Sequence, residues 1–171
     1  MGPTAPRNPS ERSQVDGHVD FVHCVFTSTN RELATNLVTQ ILIGAQYEQL
    51  SRFTDGDDYA RHNSNVADGL SVLQAVFEAI GKQGITMEYT KLHRVVAECN
   101  FVLTQSEGVL GRQPTAYYDL FRVENGKIVE HWDVIQAIPP ASEARNGNGM
   151  FKPCLMIGSS RIRNDFRAPG V

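Results

Sequence analysis

The dipeptide Asn125-Gly126 sits between two runs of alternating apolar and polar residues, AYYDLFRVE and KIVEHWDVI. An Asn-Gly pair in that setting is a two-residue hairpin, because a type I′ turn needs positive φ at both central positions. The alternation marks each run as a strand with two unlike faces. The same period of two extends upstream, so that 85–98, 101–110, 114–124 and 127–138 read as four long strands. Cys99-Asn100 and Gly111-Arg112-Gln113 separate the first three.

Before Ile85 the period is helical. Thr29-Asn30-Arg31-Glu32 has the form of a capping box, followed by Leu33, Leu37, Val38, Ile41, Leu42 and Ala45 on one stripe. A short helical turn over 46–53 comes next, and Asp68 stands where it can cap a helix carrying Leu70, Leu73, Val76, Phe77 and Ile80, stopped by Gly81 and Gly84. Helices first and a meandering sheet afterwards define an α+β domain. A chain of 171 residues suits one such domain. We delimit it as 18–151, between an arm over 1–17 rich in Pro and Gly and a tail over 152–171.

Charge and apolar content narrow the partners. A net charge of −3 supplies no basic footprint for a nucleic-acid backbone. No apolar run is long enough to span a bilayer and no leader opens the chain, so a cytoplasmic protein without a membrane partner is expected. Cys24, Cys99 and Cys154 are odd in number and lack paired spacing, so they are read as small buried hydrophobes and not as a disulfide framework or zinc site.

The segment Glu130-His131-Trp132-Asp133 holds the candidate chemistry. Extending the hairpin without interruption pairs Leu120 with His131, Tyr118 with Asp133 and Asp119 with Trp132. One face then carries Tyr118, Leu120, His131, Asp133 and Ile135, and the other carries Asp119, Phe121, Glu130, Trp132 and Val134. A one-residue bulge would exchange these faces. Trp132, Phe121 and Val134 make the second face apolar enough to suggest a subunit interface.

Two motifs, HNSNVADG and DLFRVENGKIVEHWDVIQ, together resemble the SnoaL-like branch of the nuclear-transport-factor-2-like superfamily, and most closely its predicted aldol-condensation enzymes. The likeness covers about 30–151, with Ser64 standing where close relatives are expected to have Pro. It implies a cone-shaped α+β barrel with one deep pocket, a homodimer or higher homo-oligomer, and no cofactor. It also implies acid/base chemistry on a hydrophobic, carbonyl-bearing small molecule, by polyketide-like aldol cyclisation or isomerisation. Hydration, dehydration and epoxide opening are alternatives on the same pocket, and a non-catalytic ligand-binding or oligomerisation module is the alternative of another class.

On that likeness Asp133 would be the general acid/base, with His131 and His62 as further catalytic residues. Tyr118, Leu120, Asn63 and Ile135 would contact substrate. Desolvation in an apolar cone would raise the carboxyl of Asp133 toward a working base. A set of His62, His131 and Asp133 could in principle hold iron or zinc, but nothing else in the sequence supports a metal.

Overall fold

The computed structural model describes residues 24–152. The expected arm, Cys154 and all of the tail except Lys152 lie outside the described residues. A short turn at Cys24–Phe26 leads into α1 (Thr27–Asn36), which continues as a wider π-type helical stretch over Leu37–Ile43. Two 3-10 turns, Tyr47–Arg52 and Gly56–Asp58, precede a two-residue strand β1 (Ala60–Arg61) and helix α2 (Leu70–Lys82). Strands β2 (Met87–Glu98), β3 (Phe101–Leu110), β4 (Gln113–Glu124) and β5 (Lys127–Ala137) follow as a meander. The four long strands agree with the alternation to within two residues at each end. Among the described residues no helix is long and apolar enough to cross a membrane.

The sheet has the order β1-β5-β4-β3-β2 and is open, with β1 lying parallel to β5 and all other pairs antiparallel. Register shifts in β2 beside Thr90 and His93 bend that strand. Gly108 of β3 lies under the first of them, where an added Cβ would run into the carbonyl of Glu88. The bent sheet wraps a core of Val38, Ile41, Val102, Phe121 and Ile128, all 0 or 1% exposed. Helix α1 packs on β2 and β3. This burial is the main stabilising term, on the order of 2 kcal/mol for each fully buried aliphatic or aromatic side chain.

Both predicted helix caps are corrected. Helix α1 starts two residues before Thr29, without a side-chain cap; Thr27 Oγ1 instead donates to the carbonyl of Cys24 and accepts from the amide of Cys99. At α2 the preceding residue is Gly69 (φ 100°), and the amide and hydroxyl of Ser71 both donate to Asp57, fourteen residues upstream. Asp68 accepts from the amide of Arg61, tying β1 to the loop that follows it. The cysteine reading is corrected as well: Cys24 and Cys99 form a disulfide across 75 residues of sequence. Local spacing cannot show such a pair, because packing of the turn before α1 against the β2–β3 turn creates it.

The Asn-Gly hairpin forms as expected, with φ of 51° at Asn125 and 73° at Gly126 and Glu124 opposite Lys127. A bulge follows at once: Val123 pairs with Ile128, but Arg122 pairs with Glu130, leaving Val129 extra. From there Phe121 faces His131, Leu120 faces Trp132, Asp119 faces Asp133 and Tyr118 faces Val134. The uninterrupted register is therefore wrong by one residue, and β4 presents its faces the other way round. Phe121 is 1% exposed in the core, so it is no part of an outer patch. Tyr118 and Leu120 join Trp132 and Val134 on the convex side.

Candidate active site

The concave side of the sheet and the helices enclose a cavity of about 200 Å³. Its wall is largely apolar, from residues such as Leu37, Leu73, Phe77 and Phe121, with Arg61, Asn63, His131 and Asp133 as polar members. Strand alternation aims the last two inward from β5, and the parallel pairing of Arg61 with His131 sets β1 beside them.

His131 is held from behind. Its Nε2 lies 3.0 Å from Oδ1 of Asp119, a residue with no exposed surface, and the hydroxyl of Tyr89 donates to the same oxygen at 3.2 Å. The imidazole also stacks on Phe121, with ring centroids 4.7 Å apart. A hydrogen on Nε2 satisfies Asp119 and leaves Nδ1 a lone pair. Nδ1 is buried and has no hydrogen-bond partner among the described residues, and the same holds for Oδ2 of Asp119 and Nε of Arg61. Each such atom costs about 1–3 kcal/mol relative to a satisfied one. His131 and Arg61 line the cavity and Asp119 stands directly behind His131, so unmet polar capacity gathers at this one cavity.

Asp133 is engaged differently. Arg61 Nη2 donates to Oδ2 at 3.1 Å, while the Asn63 amide donates to Oδ1 at 2.8 Å and to Oδ2 at 3.1 Å. Its side chain is 9% exposed and that of Arg61 7%. The carboxylate thus holds a buried guanidinium and a loop amide in place, and both of its oxygens are in use.

The aromatic hydroxyls nearby are kept protonated by their surroundings. Burial, then the charge of Asp119, pushes Tyr89 well above the ordinary tyrosine range and Tyr117 up to about 12. Burial likewise raises Tyr59, against the opposing influence of Arg61. Tyr89 is therefore a steady donor to Asp119.

Of the residues read from the sequence, His131, Asp133, Asn63 and Ile135 line the cavity. His62 does not; it lies on the convex side, its Nε2 3.2 Å from Glu130 and its ring 4.2 Å from that of Trp132 in parallel stacking. Leu120 and Tyr118 also point away, and the Tyr118 hydroxyl accepts from Gln105 at 2.7 Å. Asp119, Arg61, Tyr89 and Tyr59 are the residues that sequence reasoning missed. The bulge hid Asp119. Arg61 lies in, and Tyr59 just before, a strand too short to show alternation, and Tyr89 depends on the bend of β2. Among the described residues no group of three or more potential metal ligands occurs.

No family model matches the chain, and no curated protein matches it by sequence. Solved structures do. A candidate ketosteroid isomerase from Kribbella flavida superposes with a TM-score of 0.57 at 15% identity, covering 75% of this chain and 96% of its own. An NTF-2-like protein of unknown function from Burkholderia xenovorans gives 0.54 at 18% identity, over 68% and 90%. An LEH-like epoxide hydrolase from M. tuberculosis gives 0.50 at 20%, over 64% and 84%. At such identities the likeness speaks for architecture alone: the chain has the α+β cone fold of the nuclear-transport-factor-2-like superfamily, with its sheet open.

Proposed function

We propose that the chain is an acid/base enzyme that acts on a carbonyl-bearing, mainly apolar small molecule, with His131 as the group that takes the proton. The observation that carries this reading is the cavity-lining imidazole, tied through Nε2 to the fully buried Asp119 and unpartnered at Nδ1. A base needs a free lone pair and a fixed orientation, and this residue has both. Asp133, expected from the sequence to be the base, has its two oxygens occupied by Arg61 and Asn63. Its part is to hold Arg61.

Nδ1 removes a proton from the carbon beside the carbonyl, and the electron pair moves onto the carbonyl oxygen. Arg61 lines the cavity as a cation able to receive that charge, and its buried Nε–H has no partner among the described residues. The proton on His131 is then returned, either to the far carbon of a conjugated dienolate, which is isomerisation, or to the alkoxide formed when the enolate carbon attacks a second carbonyl, which is aldol cyclisation. The kinds of activity named for similar structures, isomerase and epoxide hydrolase, support an acid/base pocket in this fold without choosing between them. A hydrolytic alternative draws on Asn63 and Asp133, which also face an open polar groove and could hold a water there.

The test needs no knowledge of the natural substrate. Exchange of α-hydrogens for deuterium in a panel of cyclic ketones, followed by NMR in D2O, reads proton abstraction directly. The wild-type chain is expected to accelerate exchange, and His131→Gln to lose about a hundredfold or more of that rate with its fold intact by circular dichroism. No acceleration across the panel, or full activity in His131→Gln, would overturn the proposal.

A further inference from the structure

Beside the cavity lies an open groove of about 290 Å³, lined by His62, Asn63, Ser64, Asn65, Asp133 and Ile135. Asn63, Asp133 and Ile135 line both spaces, so the Asn63–Asp133 hydrogen bonds form the partition between them. The two compartments differ in chemistry. The cavity wall is chiefly aliphatic and aromatic, whereas Ile135 is the one apolar residue in the groove.

Charge decides what the groove can take. Asp133 is paired with Arg61, and His62 is committed to Glu130 and stacked on Trp132. Asn63 spends its amide on Asp133 and its Oδ1 on the amide of Asn65. Besides Nδ1 of His62, the groove's side-chain groups without a partner among the described residues are those of Ser64 and Asn65, both exposed and uncharged. A carboxylate or phosphate would find no free cation there. A hydroxyl or amide would find donors and acceptors of its own kind.

We infer that the groove is a second subsite for the molecule whose apolar part enters the cavity, and that it takes a neutral, hydrogen-bonding substituent such as a polyhydroxylated or glycosidic group. The ligand is thus amphipathic and crosses the partition at Asn63–Asp133. This deepens the proposed function by naming a substrate class, and it rests on that reading only for the cavity as the seat of the apolar part.

The experiment is calorimetric titration of the full chain with 2-naphthol and with 2-naphthyl β-D-glucoside. The two probes share a ring system and differ by a neutral hydroxylated group. The glucoside is expected to bind roughly tenfold more tightly, the equivalent of one to two net hydrogen bonds. The double variant Ser64→Ala/Asn65→Ala should erase that advantage and leave 2-naphthol unchanged. Equal affinities in the wild type, equal weakening of both probes in the variant, or binding of neither probe would overturn the inference. A wild-type chain that shows the binding pattern but exchanges no ketone hydrogen would sink the acid/base reading and leave the subsite standing.

Discussion

The two faces of the β4–β5 ribbon each carry a buried cluster of charged and aromatic side chains, and the clusters are built on different principles. On the convex side Glu130 is complete: Oε1 accepts from Arg122 at 2.6 Å and Oε2 lies 3.2 Å from His62, whose ring rests on Trp132. On the concave side Asp119, His131 and Arg61 each leave a buried atom without a partner among the described residues, and His131 and Arg61 line the cavity; the outer cluster leaves one such atom, Nε of Arg122, which lines neither the cavity nor the groove beside it. Saturated acceptors hold structure together, whereas an unsaturated group beside a cavity keeps capacity for something that arrives. The contrast assigns stability to the outer cluster and chemistry to the inner one.

That assignment can be broken from either side. The largest effect is expected in assembly: Val96, Leu103, Leu120 and Trp132 face one another across four strands on the convex side, and Val96 is 59% exposed and Leu103 37%. We propose a second copy of the chain as the cover for this row. Leu103→Glu should shift sedimentation from dimer to monomer at micromolar concentration, while a wild type that sediments as a monomer would remove the interface.

A smaller effect is expected inside the outer cluster. Glu130→Ala leaves Arg122 with only the more exposed Glu124 as partner and should cost about 3 kcal/mol in urea unfolding, with ketone exchange retained. The pH dependence has a definite sign. Burial alone would raise the Glu130 carboxyl, but Arg122 and His62 outweigh it and hold it below the ordinary range. Its contribution is therefore complete above the usual carboxylate pKa and is lost as pH falls through the lowered value. Acid unfolding should be less steep in the variant; an unchanged acid limb would contradict this.

The finest comparison uses two tyrosines. Tyr89→Phe removes the second donor to Asp119 and should slow exchange several-fold while moving its pH profile, because the charge behind His131 loses a partner. Tyr118→Phe, on the other side of the same sheet, should leave both rate and profile alone. Equal effects would show that the faces had been misassigned.

Much of the fold was legible because its signals are local. Turn chemistry at Asn125-Gly126 and the alternation around it act over a few residues, and the four long strands came out within two residues of their expected bounds. The direction of His131 and Asp133 was legible for the same reason. Their surroundings were not. One residue, Val129, inserted beside the hairpin changed which β4 residues share their face, replacing Tyr118 and Leu120 by Asp119 and Phe121. His62 went the other way, since β1 is a two-residue strand whose partner is seventy residues distant.

The sequence by itself determined an α+β chain with a terminal hairpin, an apolar interior, and an acid and a base two residues apart on one strand. Periodicity and turn propensity are properties of neighbours along the chain, and they survive without tertiary context. Only the tertiary structure decided that His131 is backed by Asp119 and that Asp133 is tied to Arg61, that Asp57 caps α2, and that Cys24 meets Cys99. Each of those contacts joins segments distant in sequence or depends on a bulge, and such pairings are fixed by packing of the whole sheet against its helices.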